Sequence, residues 1–169
     1  FVWIFVGRLV QSKGADFLIE TFARLREPRG MLLMVGDGPD RERLRAIAKS
    51  CQVADQIRWV GYVDQQKLAE LYSISDTFVL PSRLDRSANV INEAMASGLP
   101  AVISDRIGTY IVRHGVDGFI LPAYDREVWV SCMKNLQIDP VGRAQIAERA
   151  RHRALHDFPE FRSLVSLAP

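Results

Sequence analysis

Residues 81–100, PSRLDRSANVINEAMASGLP, are the stretch around which the rest of the chain is organised. It follows a short apolar run, Thr77–Leu80, and passes through a charged loop into a helix that starts near Asn89. Gly98 and Pro100 then give the signal for a helix end. A helix that begins just after a strand presents unpaired backbone N–H groups and the positive end of its dipole to the sheet edge. The stretch therefore predicts an anion-binding site.

Two acidic residues lie in the same stretch, Asp85 in the loop and Glu93 one turn into the helix. Both are expected to face one crevice, where their carboxylates would accept hydrogen bonds from hydroxyl groups. An anion site with acids beside it is what a phosphate attached to a sugar requires.

Composition sets limits on the class of protein. The chain has 169 residues, about one domain, of which 48% are apolar and 25% charged, as in an ordinary globular protein. The net charge of +2 is too small to indicate nucleic-acid binding. No apolar run approaches the roughly 18 residues of a membrane span. Cys51 and Cys132 form no metal or redox motif, so we interpret them as reduced and the protein as cytoplasmic.

Strand and helix patterns alternate six times along the chain. The predicted strands are Val2–Val6, Met31–Val35, Ile57 to Val60, Thr77–Leu80, Ala101 to Ile103 and Gly118–Leu121. The predicted helices are Asp16 to about Arg26, Pro39 to about Lys49, Gln65 to Tyr72, Asn89 to the Gly98 cap, Asp125 to about Leu136 and Pro140 to about His156. This alternation predicts an α/β fold, a Rossmann-like doubly wound parallel sheet of about six strands with right-handed crossovers.

The ends of the chain also carry expectations. The predicted domain comprises residues 1–157, and residues 158–169 are a C-terminal tail. The first residues form a strand and no initiator Met precedes it. We therefore expect the chain to be part of a longer protein, with the missing part before it.

The loop after the first strand, residues 7–14, holds two cations between two glycines. Arg8 and Lys13 follow the carboxyl end of a strand, where open α/β sheets bind their ligands. They are candidates for an anion site, and solvated loop charges are an equal alternative.

A glycine-rich turn follows the second strand. Gly36 and Gly38 begin the pattern G-x-G-x-x-G, but Arg41 occupies the third glycine position. We therefore exclude NAD binding and interpret Pro39 as the first residue of the next helix.

The histidines and the C-terminal helix give only weak indications of a functional site. His114, His152 and His156 lack a second ligand pattern, so we interpret them as surface residues and predict no metal site. The last helix carries Arg143, Arg149, Arg151 and Arg153. This basic face either contacts a partner domain or an anionic membrane, or is merely solvated.

Six motifs in order resemble one family. They are VGRLVQSKG (6–14), MVGDGPDRERL (34–44), RWVGYV (58–63), DTFVLPSRLD (76–85), NEAMASGLPAVISD (92–105) and HGVDGFILP (114–122). Together they resemble the C-terminal, donor-binding domain of GT-B glycosyltransferases of family GT4, glycosyl transferases group 1. The resemblance implies a second, N-terminal Rossmann-like domain that is absent from this chain and binds the acceptor.

The resemblance also implies roles for individual residues. Glu93 corresponds to the glutamate that binds the donor ribose, Asp85 to the acid beside the donor sugar, and Arg8 and Lys13 to the cations that neutralise the diphosphate. These four are the candidate catalytic residues. The candidate donor-binding residues are Gly7, Tyr62, Val63, Ser82, Ala88, Asn89 and Val90.

Four positions depart from the family pattern. Asp85 stands where the family has glutamate, and Ser87 and Ala88 stand where it usually has an aromatic residue and a glycine. An aspartate carboxylate is one methylene shorter, and misplacement by about 1 Å can lower a rate ~100-fold. Tyr110 lies near the place of a family acid. Donor choice or activity is expected to be altered.

The resemblance implies a retaining, metal-independent hexosyltransferase. Its donor is a nucleotide-diphosphate sugar, UDP-, GDP- or ADP-linked, and its acceptor a glycan or lipid-linked glycan, in bacterial surface polysaccharide synthesis. No separate cofactor and no nucleic-acid partner are expected, and peripheral contact at the inner face of the membrane is a further option. The alternatives are a nucleotide-sugar-binding domain that has lost catalysis, or another GT-B enzyme such as a sugar-nucleotide epimerase. This chain alone is expected to bind its donor without turnover.

Overall fold

The computed structural model describes residues 1–85, 89–108 and 110–158. Six parallel strands form one sheet in the order β3-β2-β1-β4-β5-β6. The strands are β1 (Val2–Val6), β2 (Met31–Val35), β3 (Ile57–Gly61), β4 (Thr77–Leu80), β5 (Ala101–Ser104) and β6 (Gly118–Leu121). The predicted Rossmann-like parallel sheet is confirmed, and each strand boundary lies within one residue of its predicted place.

The inner strands are mainly apolar runs, and their residues are buried on both faces of the sheet. All residues of the inner strands β4 and β5 are buried, and in β1 and β2 only the first residue is partly exposed. The outer strands β3 and β6 are partly exposed. Continuous apolar runs are the pattern expected when helices cover both faces of a parallel sheet.

The helices follow the predicted order. They are α1 (Ala15–Leu25), α2 (Arg41–Ser50), α3 (Gln65–Ser73), α4 (Asn89–Ala96), α5 (Arg126–Ile138) and α6 (Pro140–Asp157). Helix α1 packs against α2 and α5, and α4 packs against α6. Two short 3₁₀ turns, Gln11–Lys13 and Ala54–Gln56, were not predicted. The predicted tail lies beyond α6, and residues 159–169 are outside the described part.

Helix α4 ends as its sequence predicted. The Gly98 N–H donates to the Met95 carbonyl at 2.9 Å, and the Leu99 N–H donates to the Ala94 carbonyl at 3.0 Å. These two bonds form a Schellman cap.

The predicted start of α2 was wrong by two residues. The helix begins at Arg41, and Pro39 lies in the turn before it. The reason is a tight turn, because the Arg41 N–H donates to the Gly38 carbonyl at 3.1 Å, so that Pro39 and Asp40 are the central residues of that turn. The Asp40 N–H donates to the carbonyl of Leu9, in the loop after β1, at 3.1 Å.

The strand order places the site. It reverses direction between β1 and β4, which are neighbours in the sheet although β2 and β3 separate them along the chain. Ligands of open α/β sheets bind outside the carboxyl ends of the strands at such a switch point. The loops after β1 and β4, which carry the predicted cations and Asp85, lie on either side of it.

Candidate functional site

A cavity of about 520 Å³ lies at the carboxyl edge of the sheet. Its lining includes six predicted site residues: Gly7, Arg8, Tyr62, Val63, Val90 and Glu93. They come from the loops after β1 and β3 and from helix α4, far apart in sequence. Val6, Val35 and Leu68 supply apolar wall. The structure therefore brings six of the eleven predicted site residues together around one space large enough for a small ligand.

Glu93 lines this cavity, as do two other acidic residues, Asp37 and Asp64. Glu93 lies in α4 and accepts a hydrogen bond from the hydroxyl of Tyr72, in α3, at 3.4 Å. The same hydroxyl donates to the Val90 carbonyl at 3.3 Å. Burial raises the pKa of the Glu93 carboxyl above its usual value, and the Tyr72 bond opposes that rise. Burial, with the charge of Glu93, raises the pKa of Tyr72 well above its usual value.

Burial of Glu93 has a chemical consequence. A partly buried carboxylate lacks some of the water that would stabilise its charge, so it gains from a ligand that donates hydrogen bonds. Two adjacent hydroxyl groups of a sugar would supply such bonds. Tyr72 holds one oxygen of the carboxylate in place. It was not predicted as a site residue, because its position in α3 is typical of a residue packed in the hydrophobic core.

Arg8 is the cation of this cavity and is exposed to solvent. Backbone bonds on both sides hold it: the Gly7 N–H donates to the Val35 carbonyl at 3.0 Å, and the Leu9 N–H donates to the Asp37 carbonyl at 2.9 Å. The loop after β2 thus fixes the loop that carries Arg8.

This loop packing explains the glycines of the G-x-G turn. A methyl group at Gly36 would come within 2.1 Å of the Gly7 carbonyl oxygen, and one at Gly38 within 2.3 Å of the Leu9 carbonyl oxygen. Only glycine permits that approach. The two glycines serve the contact between the loops after β1 and β2.

Lys13, the second predicted cation, is bonded to Asp85, one of the two predicted acids. The Lys13 ammonium donates to the Asp85 carboxylate, and the side chains are 23% and 8% exposed. Neither residue lines the main cavity. The expected single crevice with both acids, Asp85 and Glu93, is therefore divided: Glu93 faces the cavity, and Asp85 faces Lys13.

Two other predicted donor-binding residues, Ser82 and Asn89, do not line the cavity. Ser82 is completely buried, and its hydroxyl has no hydrogen-bond partner among the described residues. Asn89 is exposed at the first position of α4. Ala88 lies outside the described residues, as does Ser87.

The arginines of α6 bond mostly to the chain itself. Arg153 donates to the carbonyls of Ile111 and Tyr110, at 2.5 and 2.9 Å, and Arg149 to the carbonyl of Val116 at 2.7 Å. Arg143 donates to the Leu136 carbonyl at 2.7 Å. These groups hold the loop between β5 and β6 and the turn before α6.

The histidines are surface residues, as predicted. His152 and His156 stack in α6 with ring centroids 5.6 Å apart, and His114 bonds to the backbone of Ile120. Within the described ranges, no three His, Cys, Asp or Glu side chains are grouped to hold a metal ion. In the same ranges, no helix has the length and apolar character needed to cross a membrane.

With this strand order and a cavity at the carboxyl edge, the chain is a Rossmann-like α/β domain. The family model described as glycosyl transferases group 1 matches residues 1–153. The chain belongs to that family.

Relatives and structures show which part of the family fold this is. LpsE of Rhizobium meliloti, a lipopolysaccharide core biosynthesis glycosyltransferase, is 30% identical over 154 residues, 90% of this chain and 44% of LpsE. HepE of Anabaena in complex with UDP matches with a TM-score of 0.87 at 23% identity, over 98% of this chain and 47% of HepE. HepE was also solved with UDP-glucose.

The C-terminal domain of LpcC, a group 1 family glycosyl transferase from Francisella tularensis, matches with a TM-score of 0.81 at 18% identity. That match covers 94% of this chain and 86% of the LpcC domain. The chain spans less than half the length of LpsE and has the fold of the C-terminal half of a GT-B glycosyltransferase.

Proposed function

We propose that this chain is the donor-binding domain of a glycosyltransferase and binds the nucleotide diphosphate of an activated sugar. One observation carries the proposal: a cation, Arg8, and a carboxylate, Glu93, from distant parts of the sequence line one cavity at the switch point of the sheet. Cation and carboxylate match the two polar parts of a nucleotide, its phosphates and its ribose. HepE, which shares this fold, binds UDP and UDP-glucose.

The nucleoside would occupy the main cavity. Glu93 accepts hydrogen bonds from the ribose hydroxyls, and the apolar wall formed by Val35 and Leu68 suits the base. Tyr62 and Val63 line the cavity, and in this proposal the backbone of their loop contacts the base. The base can be that of UDP, GDP or ADP, and UDP is the first to test because HepE binds it.

The diphosphate would lie towards the loops after β1 and β4. Arg8 and Lys13 neutralise it, together with the backbone N–H groups of Asn89 and Val90 at the start of α4. During transfer, the bond between the anomeric carbon and the phosphate oxygen breaks and its electron pair goes to the leaving diphosphate. Positive charges held near that oxygen stabilise the transition state more than the ground state. In this proposal, they do the work that a divalent metal does elsewhere.

The sugar would lie beside Asp85. Its hydroxyl groups donate to the Asp85 carboxylate, which shares its charge with Lys13. We propose a hexose, transferred with retention of its anomeric configuration, to a glycan or lipid-linked acceptor bound by an N-terminal domain. Similarity to LpsE, a lipopolysaccharide core biosynthesis glycosyltransferase, supports a place in bacterial surface polysaccharide synthesis. We propose that the protein acts in the cytoplasm or at the inner face of its membrane.

The test is a transfer assay on the full-length protein that carries this chain. UDP-, GDP- and ADP-hexoses are supplied with a lipid-linked acceptor extract, in the presence of EDTA. We expect one nucleotide class to support transfer and Glu93→Ala to abolish it, whereas Glu148→Ala, at an exposed position of α6, leaves it unchanged. Equal activity in both variants would contradict the site.

The ion pair of Lys13 with Asp85 favours a second candidate function, a nucleotide-sugar-binding domain without catalysis. The side chain of Asp85 is one methylene shorter than that of glutamate, and its carboxylate is bonded to Lys13, the proposed phosphate-binding cation. It is therefore poorly placed to contact a sugar. Asp85→Glu separates the two functions: the enzyme proposal requires transfer by the parent or by the Asp85→Glu variant. If both are inactive with every donor while nucleotide still binds, the second function is correct.

A further inference from the structure

Arg83 joins the two loops that meet at the switch point. Its backbone N–H donates to the Ser12 carbonyl at 2.7 Å, and its guanidinium donates to the Gln11 carbonyl at 3.3 Å. The same guanidinium contacts both carboxylate oxygens of Asp16, in the first turn of α1, at 3.0 and 3.1 Å. Arg83 of the β4 loop thus contacts the β1 loop at Ser12 and Gln11, and the first turn of α1 at Asp16.

Lys13 lies between those points. Ser12 and Gln11 precede it, Asp16 follows it by three positions, and its own ammonium reaches Asp85, two residues after Arg83. The loops also touch beside Lys13, where a methyl group on Gly14 would come within 2.1 Å of the Pro81 carbonyl oxygen. The place of the ammonium therefore depends on how the two loops are joined.

The partner of Arg83 is held in its charged form. Burial alone would raise the pKa of Asp16, but the Phe17 N–H and the Arg83 guanidinium together lower it. Arg43 contacts the same carboxylate at 3.3 Å from helix α2. At neutral pH Asp16 is therefore a fixed anion to which Arg83 is anchored.

We propose that Arg83 is a positioning residue of the donor site: by tying the β4 loop to Gln11 and Asp16 through its guanidinium, it places the Lys13 ammonium where the diphosphate of the donor binds. This inference rests on the proposed function and extends it to a residue that does not line the main cavity. Arginine suits the role because its planar fork reaches two acceptors at once, which a lysine ammonium on a flexible stem does not reproduce.

Two predictions distinguish positioning from simple support of the fold. If Arg83 acts through Lys13, its loss weakens binding of a nucleoside diphosphate but not of the nucleoside. Removal of Arg83 and Lys13 together also weakens binding no more than removal of Lys13 alone, because the residues act in series. A purely structural role lowers both affinities alike.

The experiment is calorimetric titration of the full-length protein with UDP, GDP and ADP, then with uridine, guanosine or adenosine to match the diphosphate that binds. The variants are Arg83→Ala, Arg83→Lys, Asp16→Asn and Lys13→Ala, with Arg43→Ala as the control that touches Asp16 without touching the β4 loop. We expect Arg83→Ala to lower diphosphate affinity roughly tenfold and leave nucleoside affinity unchanged. Arg83→Lys and Asp16→Asn should show smaller losses of the same kind, and Arg43→Ala none.

Three results overturn the inference. The first is equal diphosphate affinity in the parent, Arg83→Ala and Asp16→Asn. The second is equal loss for the diphosphate and its nucleoside, and the third is an additive loss in the Arg83→Ala, Lys13→Ala double variant. If Arg83→Ala does not fold, Asp16→Asn decides by the same criteria. A parent protein that binds none of the three diphosphates overturns the proposed function instead, and this inference with it.

Discussion

The two cations of the candidate site are held in different ways. Arg8, on the β1 loop, is exposed beside an open cavity, and its position is fixed by backbone bonds to the β2 loop. Lys13, at the other end of the same loop, is mostly buried and bonded to Asp85. Arg8 therefore presents its charge to the cavity, whereas the charge of Lys13 is offset by Asp85. A donor would bind Arg8 directly and compete with Asp85 for Lys13.

The largest effect is expected where the β1 and β4 loops touch. Gly14→Ala should lower the free energy of unfolding by about 3 kcal/mol, because Gly14 has a φ of 70° and lies against the Pro81 carbonyl. Chemical denaturation measures the change. Gly115→Ala is the matched control: its φ is 73° with nothing within 4 Å, so only backbone strain remains, about 1 kcal/mol. Equal losses would show that the loops do not pack closely at Gly14.

Removing each cation in turn tests whether Arg8 and Lys13 are held in different ways. Lys13→Ala should lower the free energy of unfolding by about 2 kcal/mol, because it removes the ammonium that offsets the buried charge of Asp85. Arg8→Ala should leave stability unchanged and weaken UDP more than uridine. Chemical denaturation of both variants measures their stability, and calorimetry measures their affinities for UDP and uridine. Lys134→Ala, at an exposed position of α5, is the control. If Arg8→Ala weakens UDP and uridine equally, Arg8 only supports the fold.

On the nucleotide side, Glu93→Ala should lower UDP affinity by ~1 to 3 kcal/mol, because the ribose hydroxyls lose their acceptor. Titration of UDP and of uridine should show similar losses, since both contain the ribose. Unchanged affinity for both would remove Glu93 from the site.

The smallest effect concerns pH. Because burial raises the pKa of Glu93 above 4.5, the folded state favours the protonated acid. Protonation of Glu93 therefore stabilises the folded state. This stabilisation is complete below the pKa that Glu93 has in the unfolded chain and is lost as pH rises through its pKa in the folded protein. Glu93→Gln should therefore unfold less readily than the parent at neutral pH, with the difference shrinking in acid. Thermal unfolding measured across that pH range tests this, with Glu148→Gln as the exposed control. A parent more stable than Glu93→Gln at neutral pH would contradict it.

Much of the fold followed from local sequence patterns. Runs such as Val2–Val6 and Thr77–Leu80 are continuous and apolar, so their burial and limits were predictable. The cavity residues Arg8 and Glu93 were predictable from their places after a strand and in the first turns of a helix. The burial of Ser82 was not, because nothing in its local sequence marks the packing around the β4 loop.

Contacts between distant loops were not predictable. Lys13 and Asp85 are 72 positions apart, and Arg83 and Asp16 are 67 apart. No periodic pattern relates residues at such distances, and each charge taken alone is consistent with a solvated loop.

Calorimetric titration of this chain with UDP, GDP and ADP tests the nucleotide site most directly. We expect one of the three to bind selectively, at micromolar to millimolar concentration, and Arg8→Ala and Glu93→Ala each to weaken that binding. Selective binding would also limit the donor sugar to those carried by that nucleotide. No binding of any of the three at millimolar concentration would contradict the claim that the cavity formed by Arg8 and Glu93 is a nucleotide site.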